Sequence, residues 1–506
     1  MRSVRNALFA FLMAGLLSGP ARAQAPVGSQ QDARDEVLRK RRLQYPELAR
    51  VADLAQSAPS ELAADVLLRV AASERNQDRA WKIELLEDAF QMASLARQPN
   101  RQKVIGSRIV DRNRAEVLSL AFDQRLDRLS LQSRVVRQML KLDKAKALDM
   151  FQRIAWPNLH SRQCRDALID DVKEYYELAT EIVSSGFTAE QRHRGDDIDL
   201  LSDQISRISS PVEIGPAAKL LADSSLTRDE LGLFSGRLAA SMDRIESDDR
   251  SFSATVGTAD EDLDALAGAL VIRQASNGGV IAAYRRYLIR NLAGKRCADT
   301  ADDRLASSVM GWFNQSFASE MDSTRAPLVP DEVKPAKVEG KVDWDPFIDD
   351  AEFQRAWDEY LDLLLGKGHG PLFRSKPLSD EQKNAIEWRT QFDHFLNEID
   401  DLRPAAGEPE YRYFYRKVTA LTAAVTVARS GPDRERVLRQ IVAFLRSSSF
   451  QQESVLEWYA QVQKTARAAR NLGPEANERF LGELERSGNP MLNLYAVAAR
   501  TVPNKD

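Results

Sequence analysis

Histidine, cysteine and clustered acid are the residue types with which a chain of this kind would hold a metal or move a proton. Four histidines occur, His160, His193, His369 and His394. No two stand three or four residues apart, so no pair shares a helix face, and the His-Glu-x-x-His order of a zinc hydrolase is missing. Cys164 and Cys297 are too far apart to form a Cys-x-x-Cys half-site. His193 lies in Arg192-His193-Arg194-Gly195-Asp196-Asp197-Ile198-Asp199, which reads as a charged turn entering a helix whose first turn favours aspartate. Asp260, Asp262 and Asp264 have the spacing that opens a calcium loop. Ala265 and Val271 stand where such a loop needs Gly and Glu, so the triplet reads as the acidic start of a helix through Leu263, Leu266, Ala267 and Leu270. No metal ligand and no cofactor site is assigned.

Two further groups carry chemical potential. Gly366-Lys367-Gly368-His369-Gly370 could wrap an anion through backbone N–H groups. It lacks the order of a phosphate loop, follows the leucine-rich stretch Leu361–Leu365 and runs into Pro371, so it reads as a helix stop and turn. Tyr411-Arg412-Tyr413-Phe414-Tyr415-Arg416-Lys417 interleaves rings with cations, as nucleic-acid or sugar binders do. At helical spacing Tyr411, Phe414 and Tyr415 fall on an apolar face, which makes them core. Gly232-Leu233-Phe234-Ser235-Gly236 misses the Gly-x-Ser-x-Gly elbow of serine hydrolases by one residue. No catalytic residue is assigned.

The elements that must position any site are helices. Apolar residues recur at spacings of three and four in Leu62, Ala63, Val66, Leu67, Val70 and Ala71, with Ser60 as the expected N-cap. Trp81, Leu85, Leu86, Ala89, Phe90 and Ala93 repeat the pattern. So do Leu168, Val172, Tyr175, Ala179 and Ile182, and then Tyr411, Phe414, Val418, Leu421, Val425 and Ala428. Val437 to Leu445 follow after Ser430-Gly431-Pro432-Asp433, where Gly ends one helix and Pro begins the next. Alternating β-branched runs bounded by hairpin turns are missing. Short breaks force neighbouring helices to pack antiparallel, and so many hairpins cannot share one core. The expected fold is all-α, stacked antiparallel helical hairpins in a solenoid-like array. Pro327, Pro330 and Pro335 interrupt it, so residues 326–343 read as a linker or long exposed loop with few apolar contacts. The resulting division is a helical-array domain over 24–325, a Pro-rich linker or loop over 326–345 and a C-terminal helical domain over 346–506. A softer break falls at Trp156-Pro157.

Within Lys141–Phe151, Ala147 and Phe151 have the Ala-x3-Phe spacing of the second tetratricopeptide helix, and Pro157 follows. The stretch resembles one degenerate helix pair of that family. The Trp-x2-Leu-Gly-x2-Tyr half does not precede it. More broadly the chain is similar to exported all-helical bacterial proteins of this α-solenoid type, which implies a fold and no activity. Lytic transglycosylases place a catalytic Glu in a Glu-Ser start before a Gly-rich turn. Here Glu453-Ser454 is followed by Val455-Leu456-Glu457, without the turn.

The first residues set the compartment. Arg2 and Arg5 precede an apolar run over Ala7–Leu17, then Gly19-Pro20 and Ala21-Arg22-Ala23, the pattern of a signal peptide over 1–23 with its cleavage site. No later run is long enough for a bilayer, so stable membrane insertion is not expected after cleavage. Removing Arg2, Arg5 and Arg22 takes the net charge from −4 to −7, with the signs well mixed and no footprint for nucleic acid. In an oxidising compartment, the periplasm or outside the cell, two cysteines allow one bridge within a monomer, and Cys164–Cys297 is the expected disulfide. Cys164 is placed at the start of the helix through Leu168 and Val172. The function expected from these features is that of an exported, noncatalytic helical scaffold that binds a protein or peptide partner in the cell envelope. The alternative is an envelope hydrolase or glycan-binding protein with a helical superstructure.

Overall fold

A computed structural model describes residues 27–105, 113–298, 303–317, 326–334, 337–340, 342–343, 358 and 385–503. The expected signal segment 1–23 and the glycine-rich stretch 366–370 lie outside them. The described residues form 22 α-helices, one 3-10 turn and four short strands, so the helical fold class read from periodicity holds. No helix among them is long and apolar enough to cross a membrane.

The chain divides into two units, 1–50 and Val51–Asp506. In the first, α1 (Val27–Gln44) is strongly polar and ends on Arg41 and Arg42, with Lys40 paired one turn back to Glu36 at 2.8 Å. Helix α2 (Pro46–Ala55) begins there and carries the chain into the second unit.

The second unit is built from helical hairpins. Helix α3 (Ser60–Ala72) packs on α4 (Arg79–Ser94), α4 on α6 (Arg128–Leu140), and α6 on α7 (Lys144–Gln152). The apolar positions expected for α3 and α4 are buried, and Pro59, one residue earlier than expected, caps α3. The tetratricopeptide-like stretch is the α6–α7 hairpin, with Ala147 and Phe151 both buried. One row of helices runs on from α3 and α6 through α8 (Lys173–Ser185), α11 (Pro211–Asp223), α13 (Ser251–Ile272) and α15 (Asp303–Phe317), each packed on the last. Beside it, α10 (Asp196–Ser206), α12 (Arg228–Arg244) and α14 (Gly278–Ala293) pack in turn, α9 (Ala189–Arg194) serving as a short lead-in to α10. Helix α11 lies close on α13. A Cβ at Gly215 would lie 3.0 Å from the Cα of Ala259, which is why glycine stands there.

Two segments depart from the helical reading. Leu168–Asp171 is a strand, β2, paired antiparallel with β1 (Arg101–Val104), and α8 starts only at Lys173. Leu168 and Val172 keep helical spacing with Tyr175 by coincidence. What decides the segment is the backbone ladder to Arg101–Val104, whose polar composition hides a strand. Cys164 therefore sits in the loop before β2 and does not open a helix. Asp260, Asp262 and Asp264 lie in the middle of α13, not at its start, because helical periodicity reaches back through Val256 and Phe252 to Ser251.

The end of the row is clasped. Cys164 and Cys297 are joined, Cα to Cα 5.3 Å. Cys297 closes β3 (Lys295–Cys297), which pairs in parallel with β4 (Lys337–Glu339). Residues 326–334 pack where few apolar contacts were expected. Leu328 and Val333 are buried, Asn314 bonds both backbone groups of Leu328, and Arg285 grips Glu332 at 2.6 Å. Proline density excludes a helix there without excluding burial of the apolar residues between. Further on, Asp343 N–H donates to the carbonyl of Arg165 at 3.1 Å. Trp156 packs edge-on against Tyr175 and Tyr176, and Pro157 is buried, so the chain at the softer break stays packed on α8.

The C-terminal helices are α16 (Ala385–Asp401), α17 (Glu410–Val427), α18 (Gly431–Ser447), α19 (Phe450–Glu453), α20 (Val455–Asn471), α21 (Pro474–Arg486) and α22 (Pro490–Thr501). Gly431 is inside the first turn of α18, capped by Ser430, while α17 ends at Val427. These helices pack in sequence on one another, and α20 lies against α5 (Arg114–Phe122) near the start of the row.

Candidate functional site

Where the C-terminal helices meet the start of the row, they leave an open groove of about 1110 Å³. Its array wall comes from the end of α3, the turns after α3 and α5, and the exposed side of α6. Its other wall comes from α17, α20 and the chain just past α22.

Local sequence explains each wall. Asn76, fully buried, donates to the carbonyl of Val70 and accepts from the N–H of Asp78, which shapes the turn carrying Glu74 and Arg75. Asp127 caps α6 by accepting from Ser130 N–H at 2.9 Å, and burial pushes its carboxyl up to about 6. The turn before it holds Arg125 at φ +53°, a left-handed conformation uncommon for a residue with a side chain. Across the groove, Tyr415 donates to the buried carboxylate of Glu457, and the guanidinium of Arg114 stands 3.6 Å from the same acid. Arg114 also lies over the Tyr411 ring, 4.0 Å from its centroid, and Arg97 donates to the carbonyl of Gln452 at 2.9 Å. Trp458 anchors α20 by donating to the carbonyl of Leu445.

The lining is basic. Arg69, Arg75, Arg125, Arg134 and Arg137 come from the array, and Lys464 and Arg467 from α20, against three acids, Asp65, Glu74 and Asp123. Asp65 is buried, which by itself raises its pKa. Arg134 at 2.7 Å and Arg69 one turn on reverse that and hold it below the ordinary carboxylate range. Arg137 is committed to Glu174 at 2.9 Å and Glu181 at 2.7 Å. Arg467 is exposed and has no ion-pair or hydrogen-bond partner among the described residues. Gln461 is 8% exposed, lines the groove, and its carboxamide has no hydrogen-bond partner among the described residues. A second cavity of about 440 Å³ shares Arg125 with the groove and is walled by β1, β2, α8, α11 and α13, with both signs of charge.

The residues singled out in sequence fall elsewhere. His160 lies exposed beside Asn158, His193 is exposed on α9 and His394 is exposed on α16; His369 lies outside the described residues. Ser235 is buried in α12 and bonds its own helix. Tyr411, Phe414 and Tyr415 are core, as expected. Glu453 faces Arg114 at 3.9 Å. Asp260 is buried and accepts from Tyr284, and desolvation raises its pKa to about 7. Among the described residues no group of three or more His, Cys, Asp or Glu stands close enough to hold a metal ion.

Sequence reasoning missed the groove. Its cations look like solvated helix faces when read singly, and they are brought together from positions as far apart as Arg69 and Arg467. A hint was the run of polar residues, Glu457, Gln461 and Thr465, on the buried side of the helix through Trp458, Val462 and Ala466. Comparison of the chain with family models, with curated proteins and with solved structures finds no match.

Proposed function

We propose that this chain is an exported, noncatalytic helical scaffold that holds a protein or peptide partner in the groove between its helical row and its C-terminal helices. The observation that carries the reading is the groove itself: a large open cleft on a helical frame, lined by charged side chains and by the carboxamide of Gln461, which has no hydrogen-bond partner among the described residues. Stacked hairpins offer such extended surfaces to polypeptides, and a carboxamide not committed to the protein leaves its donor and acceptor to a ligand. Export is supported by the N-terminal signal pattern and by a disulfide that suits an oxidising compartment.

The test is photo-crosslinking in the native envelope. A crosslinking residue at Thr419, in the groove, is expected to capture a polypeptide, and one at exposed Gln91 on α4 is not. No polypeptide adduct at Thr419 would remove the groove reading. Release of soluble fragments from peptidoglycan by the pure protein would remove the noncatalytic one.

A further inference from the structure

We infer that the groove reads an acidic, extended peptide segment, with Gln461 pairing with its main chain and Lys464 and Arg467 meeting its carboxylates. This rests on the groove being the partner surface and names the chemistry of the occupant.

Three observations converge. First, the lining among the described residues holds seven cations and three acids; Arg134 and Arg69 are paired with Asp65 and Arg137 with Glu174 and Glu181, so the charge offered to a ligand is carried on the α20 side, by Arg467. A carboxylate gains most from a guanidinium that can bind it through two parallel N–H donors. Second, Arg467 is on the open side of α20 with no partner among the described residues, so it can meet an anion without first breaking an internal ion pair. Third, Gln461 lies six residues before Arg467 on the same helix, 8% exposed, with its donor and acceptor both without a partner among the described residues. A carboxamide offers one N–H donor and one C=O acceptor side by side, the complement of a peptide group. Together these select a chain that presents amides and carboxylates at short intervals.

The same lining argues against the other polyanions. Sugars and nucleobases are held largely by stacking on aromatic faces. Among the described residues Tyr415 is the one aromatic lining the groove; it is 1% exposed and its hydroxyl is bonded to Glu457. An extended peptide needs no such platform.

Fluorescence anisotropy on the full chain tests this. The probes are a labelled octapeptide of alternating Glu and Ser, its Gln-for-Glu and Lys-for-Glu versions, and an oligogalacturonate of equal charge. The Glu peptide is expected to bind best and to weaken steeply with salt. The exposed double variant Lys464→Glu, Arg467→Glu should weaken it by more than about tenfold. Gln461→Met, which keeps the volume and removes the hydrogen bonds, should weaken it by about threefold to tenfold and leave the salt dependence unchanged. Equal binding of the Gln peptide, tighter binding of the oligogalacturonate, or no effect of Gln461→Met overturns the inference. If the Glu peptide fails while Thr419 still captures a polypeptide, the acidic class falls and the groove reading stands. If both fail, the groove reading falls with it.

Discussion

The second unit closes on itself in two places, and it does so by different means. At the far end of the helical row the closure rests mainly on covalent and main-chain links, a disulfide, a parallel strand pair over Lys295–Cys297 and Lys337–Glu339, and side-chain amide bonds to the main chain of Leu328, with the Arg285–Glu332 ion pair beside them. At the junction with the C-terminal helices it is made by side chains: Arg114 with Glu457 and Tyr411, Tyr415 with Glu457, and Arg97 with a carbonyl. The far end leaves its buried carboxylate, Asp260, with Tyr284 as its bonded partner and a raised pKa. The junction sets a guanidinium beside its own. Backbone and covalent links fix geometry, whereas the junction depends on side-chain contacts, one of them from a partly exposed guanidinium to a buried carboxylate. The groove lies at the side-chain closure.

The comparison can be broken most sharply at the disulfide. Replacing both cysteines, Cys164→Ser with Cys297→Ser, should cost about 2–4 kcal/mol of unfolding free energy because the enclosed loop is long. It should leave affinity for the Glu-containing octapeptide within about twofold, since the bridge is at the other closure. Urea titration beside anisotropy checks both halves; a large loss of binding would mean that the two closures are coupled.

Arg114→Ala attacks the junction instead. Glu457 would keep Tyr415 and lose its cation. Arg114 is a third exposed, so the expected loss falls below the ~3–5 kcal/mol of a fully buried pair. Hydrogen exchange should quicken in 114–122 and 455–471 and stay slow in 251–293. Uniform quickening would show that the junction is not a separate closure.

Asp260→Asn sharpens the contrast through pH. The folded carboxyl titrates near 7 against an ordinary 3.8, so the folded state holds the proton more tightly than the unfolded chain. That stabilisation is complete below about pH 4 and is lost as pH rises to about 7. Wild type should lose stability between pH 5 and 8, and the variant should lose less. Asp127, also raised, to about 6, keeps some slope in both. Identical slopes in urea titrations at the two pH values would show that Asp260 is ionised in the fold.

The smallest effect concerns neither closure. Thr227 and Glu230 form a capping box at the start of α12, with Thr227 accepting from the N–H of Glu230 and Glu230 from that of Thr227. Thr227→Ala should cost about 1 kcal/mol and leave octapeptide binding unchanged, which sets the background for the other variants.

What the sequence made legible follows from how far each feature reaches along the chain. Trp81 to Ala93 and Val437 to Leu445 are local patterns, and every residue named in them is buried as read. The disulfide was legible by arithmetic, since two cysteines admit one intramolecular pair. Arg101–Val104 and Leu168–Asp171 were not, because a four-residue polar strand takes its identity from a partner more than sixty residues away. The groove was least legible of all. Asp65, Arg134 and Arg467 are ordinary charged helix residues until α20 is laid against α5, and nothing local to any of them encodes that contact.

The backbone bond from Asp343 to Arg165 also gives the C-terminal helices a leash. Their block follows Asp343 along the same chain, so its docking on α5 is an intramolecular event, favoured over the same contacts between two free proteins by its effective concentration. The charged contacts of the junction therefore need to supply less free energy to stay closed than they would between two separate chains.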